Sequence, residues 1–225
     1  METNRDVARE KQIKEFFLSI QTGVVTDVMV AMGLEGWMDG IYPIKPERRL
    51  FGRAFTVNLA PVRSNDEPSY LFYDLAGKWQ DGDIIVVGGD STDCSLMGDN
   101  VAHVCMNAKA GGAVLNGRCR DFMEIREMDM PVFCKGPTMR LRSKIQKFVS
   151  YNVPVNCAGA QVFPGDYVFG DADGVLVFPA EKVDDIMSRA KILVEIEKEV
   201  EVAIRDGKPM SEVKDIIKKK QQIRA

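Results

Sequence analysis

Residues 81–121 constrain this chain more than any other stretch, because they read as strand, helix and strand in close succession. DGDIIVVGGD opens with a turn and continues as an apolar run that ends on two glycines, the pattern of a buried strand. A loop follows, then a helix expected from Asp99 to about residue 110, then the glycine-flanked strand AVLNG. Asp99 thus starts the helix, and Arg120-Asp121 stands just past the second strand. One helix–strand connection brings together two carboxylates and a guanidinium. Such a group can hold a divalent metal beside an oxyanion, which suits chemistry that builds negative charge on a carbonyl oxygen.

Around this stretch the periodicity predicts a helix over residues 6–20, with Ile13, Phe16, Phe17 and Ile20 on one face. A second helix is expected over 24–32, with Thr22 near its start and Gly33 as its stop. GWMDGIYPIKPERRL reads as loop, RAFTVNLA as a strand, and residues 68–76 as a helix with Pro68 in its first turn. A short helix over 122–128 leads to the strand PVFCKG. Short β segments follow in VPVNCAG and PGDYVFGDADGVLVFP, where Asp173-Gly174 between two apolar runs signals a hairpin. Val183, Ile186, Ala190, Leu193, Ile196, Val200 and Ala203 follow three-four spacing up to Gly207, and a last helix starts near Ser211. No repeat or linker forces a cut, so one domain over 1–207 with a helical extension over 208–225 is expected.

Composition excludes several classes. The hydrophobic share of 45% and charged share of 28% are those of a soluble globular chain, and a net charge of −3 gives no footprint for nucleic acid. The first twenty residues are charged throughout, unlike a signal peptide, and no apolar run approaches the ~20 residues that span a bilayer. Cys94, Cys105, Cys119, Cys134 and Cys157 are odd in number and contain no C-x-x-C pair, so free thiols in a reducing cytoplasm are expected.

Several candidates carry a plain structural reading beside a functional one. The turn before Gly98 leaves backbone N–H groups free at a helix N-terminus, where anions are attracted, and Gly98 permits close approach. Asp99 and Asp121 each suit a helix cap, as does Glu124. His103, the one histidine, falls beside the apolar stripe of Val101, Val104, Cys105 and Ala108 and reads as a surface residue more readily than a proton shuttle. Lys109 is a formal candidate for a Schiff base but reads as a solvated lysine at a helix end. Asp171 and Asp173 resemble a calcium-loop fragment but suit a hairpin turn. Lys218, Lys219 and Lys220 read as a solvated face. Neither G-x-x-x-x-G-K-[ST] nor G-x-G-x-x-G occurs, which lowers nucleotide binding.

The run from Gly98 to Asp121, with PVFCKG, PGDYVFGDADGVLVFP and the terminal helix, resembles the class II pyruvate aldolase family. Its reference members are the 4-hydroxy-4-methyl-2-oxoglutarate / 4-carboxy-4-hydroxy-2-oxoadipate aldolases, and its superfamily includes the regulators of ribonuclease E activity. The family pattern of an acid, twenty residues and Arg-Asp is matched by Asp99 and Arg120-Asp121. TGVVTDVMVAMG and GRAFTV resemble its N-terminal part, so the likeness covers about residues 22–207. The sequence departs from the pattern in Asn116, where an acid is common, in the GDNV turn and in a longer tail.

The resemblance implies an α/β fold, a swivelling β/β/α domain of layered sheets flanked by helices with a C-terminal helical tail. It implies a homotrimer or homohexamer with sites near subunit boundaries. It assigns Gly98, Asp99, Asn100, Val101 and Arg120 to substrate binding, Arg120 and Asp99 to catalysis, and Asp121 to a divalent metal, Mg²⁺ or else Mn²⁺. The implied reaction is retro-aldol cleavage of a 4-hydroxy-2-oxo acid to pyruvate and a carbonyl product, with oxaloacetate decarboxylation as a side activity. The alternative is a protein-binding regulator of a ribonuclease-type partner, because one scaffold serves both.

Overall fold

The computed structural model describes residues 5–64, 69–142, 144 and 146–224. The chain begins with helices α1 (Val7–Ser19) and α2 (Thr22–Ala31). Two short strands, β1 (Trp37–Met38) and β2 (Tyr42–Pro43), precede the long β3 (Leu50–Pro61). The one-turn helix α3 (Phe72–Leu75) leads to β4 (Ile84–Gly89), β5 (Ser95–Met97) and α4 (Asp99–Asn107). Next come β6 (Gly112–Leu115), β7 (Arg118–Cys119), α5 (Phe122–Glu127) and β8 (Val132–Cys134). The strands β9 (Gln146–Tyr151), β10 (Val155–Cys157), β11 (Ala160–Val162), β12 (Tyr167–Asp171) and β13 (Gly174–Phe178) follow. A 3-10 turn at Ala180–Lys182 enters α6 (Val183–Arg205), and α7 (Met210–Lys218) runs into a final 3-10 stretch, Lys219–Arg224.

By contacts the chain forms two compact units: a helical one of the residues up to Glu35 and from Glu181 onward, and a sheet-bearing one over Gly36–Ala180. In the sheet-bearing unit, β3, β4, β6 and β8 pair in parallel. Antiparallel neighbours extend this ladder: β12, β13 and β1 beyond β3, and β2 beyond β8. β9 also pairs antiparallel with the second half of β3, giving nine strands among the described residues. The mixed α/β class with a C-terminal helical segment is therefore the observed architecture.

The apolar run that marked β4 has a simple cause. Ile84, Ile85, Val86 and Val87 are all 0% exposed, because both faces of a parallel strand are covered. Alternation then divides them. Ile85 and Val87 join Phe55, Val57, Ala113 and Leu115 in one core cluster, while Ile84 and Val86 join Ala54, Val114 and Phe133 in the other. Each such Ile, Val, Leu or Phe side chain contributes roughly 1.5–3 kcal/mol on burial.

Several elements differ from expectation. The loop-like segment 36–50 contains β1 and β2, two-residue strands whose pairing with β13 and β8 is set by distant chain and leaves no local period. Of the helix expected over 68–76, Phe72–Leu75 forms, and Pro68 lies outside the described residues. Asp173 donates its N–H to Asp171 Oδ1 at 3.1 Å within the β12–β13 hairpin, so these acids shape a turn. In the helical unit, Asp6 Oδ1 caps α1 by accepting from Ala8 N and Arg9 N. Lys218 pairs with Asp215, Lys219 with Glu199, and Lys220 with Glu197 and Asp27, so the lysine run is neutralised within its own unit.

All five cysteines are free, and four are buried. Burial pushes the Cys105 and Cys157 thiols up to about 12 from an ordinary value of 9.0. The unfolded chain ionises these thiols first, so the stability they contribute is complete below pH 9 and is lost as pH rises towards 12. Each thiol then costs about 1.4 kcal/mol per pH unit in that window. Urea denaturation across this range is expected to show a shallower loss for Cys157→Ala than for the unchanged protein.

Candidate functional site

The site is built by a small parallel pairing beyond the main ladder. β5 lies beside β7 with Ser95 opposite Arg118 and Met97 opposite Cys119. The residues that follow each strand therefore emerge side by side: Gly98-Asp99 from one, Arg120-Asp121 from the other. Arg120 N donates to Met97 O at 3.1 Å, which fixes the register at the point of exit.

Gly98 is the N-cap of α4, in an extended conformation. A Cβ there would stand 2.5 Å from Asp121 Oδ2 and 3.0 Å from Arg120 Nε, so the close approach requires glycine. Asp121 has φ 50 and ψ 43, the left-handed region, and occupies the N-cap of α5. It makes no side-chain cap there. Its Oδ2 instead faces the start of α4, 3.3 Å from Asp99 N and 3.4 Å from Arg120 Nε. The cap reading of Asp121 thus fails for its own helix, while its charge lies at the N-terminus of α4, where the helix dipole favours an anion.

Asp99 Oδ1 accepts from Asn100 N at 2.7 Å, so its carboxylate folds over the first turn of α4. Gly98, Asp99, Arg120 and Asp121 are therefore brought together. The Asn100 side chain is exposed, and Val101 packs against the core cluster. His103 and Glu124 are exposed. Lys109 pairs with Asp81 at 2.9 Å, and that hydrogen bond and charge push its pKa up, opposite to what a Schiff-base lysine needs.

A cavity of about 450 Å³ lies against the Arg-Asp pair, lined on one side by residues 119–122 and on the other by Pro137, Thr138 and Met139. The Arg120 and Asp121 side chains remain 52% and 37% exposed, so both charges are open to a ligand. The wall from 137 to 139 was not among the sequence candidates. Its one local signal was the Gly-Pro step after PVFCKG. Beneath it, the Cys119 and Cys134 thiols are hydrogen-bonded, which with burial pushes Cys119 well up.

Asn116, just past β6, is 2% exposed, and its Oδ1 has no hydrogen-bond partner among the described residues. A neutral amide is tolerated there more readily than a carboxylate, whose buried charge would lack a mate.

The family model described as Aldolase/RraA (RraA-like) matches residues 22–177. The chain belongs to this family. A relative from Halalkalibacterium halodurans, named "Putative 4-hydroxy-4-methyl-2-oxoglutarate aldolase", is 31% identical over 179 residues, 78% of this chain and 80% of that protein. Protein DlpA of Legionella pneumophila is 24% identical over 88% of this chain, which spans 32% of DlpA's length. Among solved structures, Streptomyces coelicolor RraAS2, described as an unusual member of the RNase ES inhibitor RraA protein family, superposes with a TM-score of 0.76. It is 25% identical, with 85% of this chain and 97% of that one covered. The Aldolase/RraA family thus includes relatives named for an enzyme and relatives named for inhibition.

Two substitutions test the close approach. Gly98→Ala keeps an allowed backbone but displaces the Asp121 carboxylate, and a crystal structure of the variant is expected to show that carboxylate swung away with the fold intact. Asp121→Ala places a Cβ residue without a local polar group in the left-handed region, and is expected to lose about 1 kcal/mol relative to Asp121→Asn in urea denaturation.

Proposed function

We propose that this protein is a divalent-metal-dependent lyase that cleaves a 4-hydroxy-2-oxo acid by retro-aldol reaction to pyruvate and a carbonyl product. The observation that carries this reading is the junction of an open guanidinium and an open carboxylate at one cavity, Arg120 beside Asp121.

Among the described residues no three His, Cys, Asp or Glu side chains converge, so a cation that needs a full protein cage does not fit. Mg²⁺ keeps several waters around one or two carboxylates, and Asp121, a hard oxygen donor at the cavity, fits it; Mn²⁺ suits the same donor. A bound cation supplies a Lewis-acid charge that favours negative charge on the substrate's keto oxygen.

Arg120 is permanently charged, and its planar fork suits the carboxylate and keto oxygen of the pyruvyl end. The first turn of α4 from Gly98 through Val101 takes the same end once the carboxylates that accept from Asp99 N and Asn100 N give way to it. Asp99 accepts the proton of the distal hydroxyl. The bond between C3 and C4 then breaks, C4 becomes the carbonyl of the departing product, and the electron pair remains as the pyruvate enolate facing Arg120. A proton returned to C3 completes pyruvate. Phe122, Pro137 and Met139 provide the apolar side of the cavity beside the enolate. Oxaloacetate decarboxylation passes through the same enolate and is the expected side activity.

A homotrimer or homohexamer suits the exposed apolar rim near the cavity, where Met139 is 95% exposed and Met123 and Leu141 are also uncovered. Among the described residues no helix is long and apolar enough to cross a membrane. Free thiols suit a cytoplasmic location. The second reading, a regulator of a ribonuclease-type partner, is favoured by the likeness to RraAS2.

Pyruvate release from 4-hydroxy-4-methyl-2-oxoglutarate and from oxaloacetate, with Mg²⁺ and with a chelator, separates the two readings. Metal-dependent pyruvate is expected, reduced roughly 10²–10³-fold by Arg120→Ala and abolished by Asp121→Asn. A folded, Mg²⁺-supplied protein that releases none from either substrate overturns the lyase reading for these acids.

A further inference from the structure

The 137–139 wall of the Arg120–Asp121 cavity is pinned on both sides. Lys135 N donates to Gly117 O at 2.8 Å, Cys119 N to Gly136 O at 3.1 Å and Thr138 N to Cys119 O at 2.8 Å, so residues 135–138 are laced along β7. Ser95 N donates to Arg140 O at 2.8 Å, which ties the chain beyond to β5. Thr138 is thus held by the same two strands that deliver Gly98 and Arg120. Its Oγ1 accepts from Arg140 N at 3.2 Å, and its hydroxyl proton has no acceptor among the described residues. Pro137 and Met139 flank it on the cavity wall with apolar side chains. We propose that Thr138 is a specificity-determining residue of this site, whose hydroxyl donates a hydrogen bond to the oxygen on C4 of a 4-hydroxy-2-oxo acid.

The assignment rests on the lyase reading and concerns its acceptor half. Arg120 and the first turn of α4 take the oxygens of the pyruvyl end, which leaves the oxygen on C4 for the hydroxyl in the cavity lining. Asp99 accepts the proton of the C4 hydroxyl, the pair of that O–H bond forms the new carbonyl, and the C3–C4 pair passes to the enolate. Thr138 transfers no proton. Its hydrogen bond is strongest while the C4 oxygen is losing its own proton and gaining charge. A contact that strengthens towards the transition state speeds the step. Oxaloacetate differs at this position, because its C4 is a carboxylate that departs as carbon dioxide. A hydrogen bond to that carboxylate favours the charged starting state over neutral carbon dioxide, so it gives decarboxylation no help. Thr138 therefore favours cleavage over decarboxylation at one enolate site.

Steady-state pyruvate release by the full chain with Mg²⁺, from 4-hydroxy-4-methyl-2-oxoglutarate and from oxaloacetate, tests it. Thr138→Val keeps the branched shape without the hydroxyl. It is expected to lower kcat/KM for the hydroxy acid about 10–100-fold, mostly in kcat, and to leave decarboxylation within about twofold or raise it. Thr138→Ser is expected to restore cleavage. If circular dichroism shows that Thr138→Val does not fold, Thr138→Ala carries the same expectations. Both activities falling together, cleavage unchanged, or no rescue by Thr138→Ser overturns the assignment. Decarboxylation by the unchanged protein without cleavage of the hydroxy acid overturns it too, while the enolate chemistry stands. No pyruvate from either acid overturns the lyase reading itself, and this assignment with it.

Discussion

The parallel register of β5 on β7 is the constraint on which the candidate site depends. Met97 opposite Cys119 means that the next residues of each strand, Gly98 and Arg120, have nowhere to go but alongside one another. The intervening chain is one helix and one strand, α4 and β6, the connection that a parallel sheet demands between neighbours. The interval of twenty residues between Asp99 and Arg120-Asp121 is therefore the length of a crossover. The main ladder sets the distance, since β4 and β6 run in register from Ile84–Gly112 to Val87–Leu115 before each gives way to its short continuation.

Geometry at that junction is expensive locally and stable globally. Asp121 holds a left-handed backbone that costs an ordinary residue about 1–2 kcal/mol, and its carboxylate leans on a glycine rather than on a packing side chain. Behind it the core residues of β4 and β6 are buried, and β3 binds three neighbours at once: β12 along its first half, β9 along its second, and β4 on its other edge. A strained turn survives on such a base because the surrounding ladder over-determines it.

What could be read from sequence follows from how local each signal is. The β4 run, the Asp173-Gly174 hairpin and the apolar stripe of α6 are written in consecutive residues, and the structure has all three. The Asp99 and Arg120-Asp121 interval was legible because one crossover separates its ends. β9 was not, because Gln146–Tyr151 carries Lys147 and Ser150 and acquires strand form by pairing with a segment some ninety residues earlier. β5 and β7 have three residues and two, too few to show a period, yet they place the site. The Pro137–Met139 wall follows the same logic, since Thr138 N is anchored to Cys119 O at 2.8 Å by a contact between distant chain segments.

The same junction bears on whether this scaffold turns over a substrate or only binds a partner. A binding surface gains from rigid, relaxed contacts, and a carboxylate serving only as a helix cap would bond its own helix. Asp121 does neither: it accepts the cost of a left-handed backbone, leaves α5 uncapped by its side chain, and presents its charge beside a half-exposed guanidinium at the edge of a cavity. Opposite charges held 3.4 Å apart, yet both open to solvent, contribute little to stability. The pair is therefore kept at the cavity edge and not locked into the fold. The return for the left-handed backbone lies at α4, whose Asp99 N–H Asp121 accepts at 3.3 Å and whose dipole its charge faces, so this carboxylate is held by the neighbouring helix and not by its own.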